Sequence, residues 1–222
     1  MKVLKFGGSS VANTENIKQV LSIVAKTSKK SKVTVVVSAF GKTTNNLIAG
    51  ANSALVDIKA AKETLETIKK LHFQVIDDLV KSNKNEVVEA VTSLFNRLQS
   101  IYEGVFLLQE LSDKTLAKVC SFGERLSSYI IANAAKETLN ATHKDSRDLI
   151  STNDDYLNAQ VNFKITNKNI ADFFDENKHQ VILLGGFISS NIAGETTTLG
   201  RGGSDFSASI YAAAVDADEL LI

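Results

Sequence analysis

Excess charge is the first thing this chain of 222 residues lacks: 25 basic side chains stand against 25 acidic ones, a balance with no bias toward nucleic acid. It has a single cysteine, Cys120, which excludes an internal disulfide framework. No apolar stretch approaches the ~18 residues that cross a bilayer, and no signal-peptide pattern opens the chain, so neither membrane nor export is expected and the cytoplasm is the predicted compartment. Its three histidines, His72, His143 and His179, are scattered without metal-ligand spacing, and no metal ligand is assigned. Two phosphate motifs are absent as well. Gly41-Lys42-Thr43 has the end of a P-loop, but Val36 stands where the first glycine is required. Gly200 and Gly202 begin like a dinucleotide fingerprint, but Asp205 occupies the third glycine position.

What remains, at 44% hydrophobic residues, is enough for one sizeable core in a soluble α/β chain. Met1–Phe6, Val33–Ser38 and Val181–Gly186 read as buried strands of a mainly parallel sheet, each running into a small-residue loop. Asn13 and Thr14 are placed to cap a helix carrying Ile17, Val20, Leu21 and Val24. Two apolar series, Ile58 to Leu79 and Val87 to Val105, recur at steps of three and four, and the polar stretch 81–85 joins them. They predict a helical hairpin inserted at about 53–110. His72 falls on its apolar seam and reads as a core residue.

Three segments carry candidate chemistry. Gly7-Gly8 ends the first strand beside Lys5, a point charge among exposed main-chain N–H groups; this suits a phosphate, or is simply a tight turn. Leu199-Gly200-Arg201-Gly202-Gly203-Ser204-Asp205 combines open N–H groups with the planar fork of Arg201, and Ser204 and Asp205 are placed to cap a helix from near Phe206. Such a loop suits an anion, or is a flexible capped turn. On the helix predicted from Asp113 to Leu139, Glu124 shares a stripe with Cys120, Gly123, Ser127 and Ile131, where a carboxylate needs a partner. Either it pairs with Arg125 or Lys118, or it faces a pocket and holds a ligand's ammonium group.

The segments Lys5–Ala12, Ser38–Asn45, Ser121–Arg125, Gly186–Ile188 and Thr196–Asp205 together resemble the successive signatures of aspartokinases, in order, and the start and insert resemble the kinase portion of bifunctional aspartokinase/homoserine dehydrogenases. The resemblance implies an α/β fold, a three-layer αβα sandwich of the amino-acid-kinase or carbamate-kinase-like type. The implied activity transfers the γ-phosphoryl group of ATP, with Mg²⁺, to the β-carboxylate of L-aspartate, the step that opens lysine, threonine and methionine biosynthesis. On the matching positions, Arg201 would clamp the α-carboxylate and Glu124 the α-ammonium. Ser38, Thr44 and Phe187 would contact substrate, and Ser204 would lie near the nucleotide phosphates. Lys5 would neutralise the transferring group with N–H donors from Gly7, Gly8 and Gly41, and Asp205 would orient substrate and Lys5. No general base is needed, since the acceptor is already a carboxylate at neutral pH. The segments 145–148 and 152–154 resemble family segments without a chemical role assigned.

Asp218–Ile222 reads as the entry to another buried strand. The expectation is therefore that residues 1–222 are the N-terminal part of an amino-acid-kinase catalytic domain, C-terminally truncated, with the rest of the nucleotide site and any regulatory domains absent and turnover lost. A homo-oligomer is implied for full-length relatives. A kinase for another acidic substrate and a non-catalytic amino-acid-binding module remain open alternatives.

Overall fold

The computed structural model describes residues 1–222. Strands β1 (Lys2–Phe6), β2 (Val33–Val37), β3 (Ala141–Lys144), β5 (Val181–Gly185) and β8 (Glu219–Leu221) form one sheet in the order β3-β5-β2-β1-β8. Every pairing in it is parallel. The two-residue strand period divides the side chains between two cores. Leu4, Val35 and Leu183 face a large cluster built with helices α1 (Thr14–Ser28), α2 (Thr43–Ala54), α3 (Ile58–Leu79), α4 (Lys84–Leu108) and α5 (Asp113–Lys136). Val3, Val36, Ile182 and Leu184 face a smaller one closed by α6 (Phe163–Glu176) and α7 (Gly203–Ala214). This is the αβα sandwich.

Beside it lies a second sheet that the apolar patterning did not predict, β4 (Ser151–Thr152), β6 (Ile188–Asn191) and β7 (Thr196–Thr198). Its strands are short and rich in Ser and Thr, with buried hydroxyls bonded to one another: Thr197 bonds both Thr152 at 2.7 Å and Ser189 at 2.9 Å. The family-like segments also have structural partners here. Asp145 receives the Arg147 fork at 2.7 Å, and Asp154 accepts from Asn191 at 2.9 Å.

The hairpin α3–α4 forms over the predicted registers, and Asn13 caps α1 by accepting from the Asn16 N–H at 2.9 Å. His72 is fully buried, its Nδ1 2.8 Å from the Ile68 carbonyl and its ring stacked on Phe40 at 4.8 Å. The insert thus braces the loop after β2. Two boundaries differ from expectation. Helix α5 stops at Lys136, where Glu137 and Thr138 turn back onto the carbonyls of Ala134 and Ala135. Strand β8 is not buried: it pairs only with β1, and Leu221 is 49% exposed.

Candidate active site

The ends of β1, β2 and β5 converge with the first turns of α2 and α7 and the middle of α5 around a cavity of about 330 Å³. Most of the singled-out residues line it: Lys5, Gly8, Ser38, Gly41, Thr44, Glu124, Phe187, Ser204 and Asp205. Such a crevice at the carboxyl ends of parallel strands is where open α/β sheets hold ligands.

Glu124 is 3% exposed. Its Oε1 accepts from the Ala39 N–H at 3.2 Å, whereas Oε2 has no partner. The salt bridge to Arg125 or Lys118 does not form. Adjacent helical residues point about 100° apart, so Arg125 turns to Asp145 at 3.8 Å and lies over the Phe122 ring, while Lys118 stays exposed. Burial without a cation pushes the Glu124 carboxyl up to about 8, against the opposing effect of the Ala39 hydrogen bond. Gly123 brings this part of α5 in close. A Cβ there would lie 2.7 Å from Ala39 Cβ and 3.2 Å from Thr44 Oγ1, so only glycine lets α5, α2 and the β2 loop meet at one cavity.

At the other end, Lys5 Nζ sits 2.5 Å from Asp205 Oδ1; the lysine side chain is 12% exposed and the aspartate 51%. Lys5 is therefore a held charge, not a solvated edge residue. Gly7 does not line the cavity; a Cβ there would meet Lys5 Nζ at 3.4 Å, an ordinary contact, so it lies beside the ammonium group without being required as glycine by it. Gly41 corrects another expectation. Its N–H is already given to the Gly8 carbonyl at 3.0 Å, leaving it as a turn residue at φ +52° rather than a free donor.

The glycine loop also differs in detail. Helix α7 starts at Gly203 after a left-handed Gly202 at φ +74°, with no side-chain cap. Ser204 and Asp205 are thus inside its first turn and not capping residues, because the left-handed glycine ends the loop three residues early. That turn opens on the cavity, a position favourable to an anion. Gly186 permits it, since a Cβ there would lie 2.7 Å from Ser204 Cβ. Ser204 Oγ receives a 2.9 Å hydrogen bond from Ser38 Oγ, and the Ser38 carbonyl receives one from Ser127 at 2.9 Å. Arg201, between Gly200 and Gly202, is exposed at the loop rim and does not line the cavity.

Sequence reasoning missed Ala39, whose N–H orients Glu124, and Ser127 and Ser207, whose hydroxyls fix the walls from behind. The only signal for the two serines was a polar residue at helical spacing in an otherwise small or apolar stripe.

A family model described as the amino acid kinase family matches residues 1–222. The chain belongs to the amino acid kinase family. Its relatives include the bifunctional aspartokinase/homoserine dehydrogenase of Buchnera aphidicola, 32% identical over 98% of this chain and 27% of that protein. Aspartokinase 1, chloroplastic, of Arabidopsis thaliana is 33% identical over 99% of this chain and 39% of that protein. Among solved structures, E. coli aspartokinase III in complex with aspartate and ADP superposes with a TM-score of 0.90 at 29% identity, covering 99% of this chain and 48% of that one. The chain thus spans less than half the length of these relatives. No helix of this member of the family is long and apolar enough to cross a membrane.

Proposed function

We propose that the cavity is the L-aspartate site of an aspartokinase, and that its residues serve transfer of the ATP γ-phosphoryl group to the aspartate β-carboxylate. The observation that carries this reading is Glu124 Oε2, a buried carboxylate oxygen without a partner in a cavity whose opposite end is a glycine-rich loop around the Lys5–Asp205 ion pair. An α-ammonium group would satisfy Oε2 and return Glu124 to the ionised form. The solved aspartokinase III with aspartate and ADP bound supports the same substrates.

In this reading Thr44 and Ser38 orient the substrate from the α2 side, and the Phe187 ring closes its pocket. Arg201, on its flexible stem at the rim, reaches over to the α-carboxylate. The β-carboxylate then points toward Lys5, which carries no hydrogen-bond acceptor and can only donate to the oxygens of the acceptor and of the moving phosphoryl group. Asp205 holds that ammonium in place. The N–H groups of Arg201, Gly202 and Ser204, which are given to no carbonyl of the chain, offer a bed for phosphate oxygens, whereas those of Gly203, Asp205 and Phe206 already donate to the loop. Magnesium, implied as the companion of ATP, finds no group of three or more ligating side chains here. An ion held mainly by phosphates and water requires only one or two carboxylates, and Asp205 is the acid beside the loop.

Calorimetric titration with L-aspartate, L-glutamate and N-acetyl-L-aspartate tests the reading. Saturable binding is expected for aspartate, weaker binding for glutamate and none for the acetylated compound, which lacks the ammonium group. Equal binding of aspartate and its N-acetyl derivative would overturn it.

A further inference from the structure

Phe187 has an unusual backbone for an aromatic wall. Its φ is +67°, in the left-handed region that residues with a Cβ rarely adopt. It is the centre of a three-residue turn closed by the Ile188 N–H on the Gly186 carbonyl at 2.7 Å, a strained form when the central φ is positive. Such a conformation persists only where the surroundings determine it, and two bonds do so. The Phe187 carbonyl accepts from the Leu199 N–H at 2.9 Å, and the Phe187 N–H donates to Ser207 Oγ at 2.9 Å.

Ser207 lies one turn into α7, is fully buried and does not line the cavity. Its hydroxyl also donates to the Gly203 carbonyl at 2.8 Å, so a single oxygen ties the turn at Phe187 to the residue that starts α7. These two meet closely, for a Cβ at Gly203 would lie 2.9 Å from Phe187 Cδ2. The aromatic wall and the anion-facing helix start are therefore held in register by a side chain behind both.

We propose that Ser207 is a positioning residue that holds Phe187 in its left-handed turn and so sets the shape of the substrate pocket; its bearing on aspartate rests on the functional reading above. Without the hydroxyl, the N–H of half-buried Phe187 has no partner in the chain and the turn loses one of its two ties. The residue then relaxes toward ordinary backbone angles and the ring leaves its place beside Gly203.

The test removes only the hydroxyl, in two matched comparisons: wild type against Ser207→Ala, and Ser207→Thr against Ser207→Val. Either pair suffices if a member of the other does not fold. Amide hydrogen exchange at Phe187, followed by NMR without ligand, is expected to be about tenfold or more faster in the Ala and Val variants and restored in Thr. Titration with L-aspartate is expected to show roughly tenfold weaker binding for the same two variants, with Thr near wild type. Unchanged exchange at Phe187 overturns the proposal whatever the ligand does. Faster exchange with undiminished aspartate binding overturns the link to the pocket. Absence of aspartate binding by the wild type counts instead against the functional reading, and the exchange experiment still decides the role of Ser207.

Discussion

At the scale of single residues, three side chains are held in states that water would not give them, and each makes a prediction. Glu124 is raised to about 8 by burial, so exchanging it for a neutral isostere costs the empty protein little and the complex much. Glu124→Gln should weaken L-aspartate by roughly 10- to 150-fold, the value of a charge-assisted hydrogen bond of about 1.5–3 kcal/mol, while leaving stability at pH 8 equal or higher. Titration and denaturant unfolding of the same preparation check both halves. Lys5 is different, because in the proposed function its charge counts most while the phosphoryl group is moving. Lys5→Ala in an active full-length enzyme carrying this domain should lower kcat by about two decades or more with little change in aspartate affinity. Steady-state kinetics showing a change in KM alone would contradict it.

His72 gives the pH dependence. Burial lowers its pKa to about 4, and His143 is lowered to about 4 for the same main reason. The unfolded chain takes up these protons near the ordinary histidine value and the folded chain refuses them, so their stabilising effect is present above about 6.5 and lost as the pH falls toward 4. Glu124 acts with the opposite sign, since its raised pKa lowers stability as the pH rises from the ordinary carboxylate range to about 8. His72→Leu should therefore flatten the acid limb of the stability profile, saving about 2 kcal/mol at pH 5 relative to pH 7. Urea unfolding at the two pH values measures it.

At the scale of elements, helices α2 and α5 and the hairpin α3–α4 act together on the cavity. The hairpin packs along α2 and α5, and two of its contacts bear on the site: His72 stacks on Phe40, and Tyr102 donates to the Leu47 carbonyl of α2 at 2.8 Å. Gly50 lies under that tyrosine, where a Cβ would come within 2.7 Å of its hydroxyl oxygen. Gly50→Ala should therefore destabilise the chain by about 1–3 kcal/mol through overpacking, despite alanine's better helix propensity. A gain in denaturation midpoint would show the contact to be yielding.

The hairpin was legible because a long 3.6-residue period leaves few alternatives, and Glu124 was legible as a misplaced charge on an apolar stripe. The loop geometry was not. The Gly41 N–H is taken by Gly8, 33 positions earlier in the sequence, and no local pattern announces that bond. The start of α7 was misplaced because Ser204 and Asp205 are good capping residues by type, whereas left-handed Gly202 had already turned the chain. Strands β6 and β7 escaped because short Ser/Thr-rich segments satisfied by one another's hydroxyls have no apolar alternation to read.

On the scale of the whole molecule, one layered domain brings a buried acid and a glycine-rich loop beside Lys5 to a single cavity from opposite parts of the sequence. The parallel sheet fixes the ends of β1 and β2 side by side, α5 supplies the buried acid, and α7 supplies the anion-facing turn. The central claim is that Glu124 waits in the empty cavity as a neutral acid and is ionised by an incoming ammonium group. Titration of L-aspartate at pH 7 in buffers of different ionisation enthalpy reads that claim directly. The account predicts release of a proton on binding, abolished in Glu124→Gln; binding with no proton released, or the same release in the variant, would contradict it.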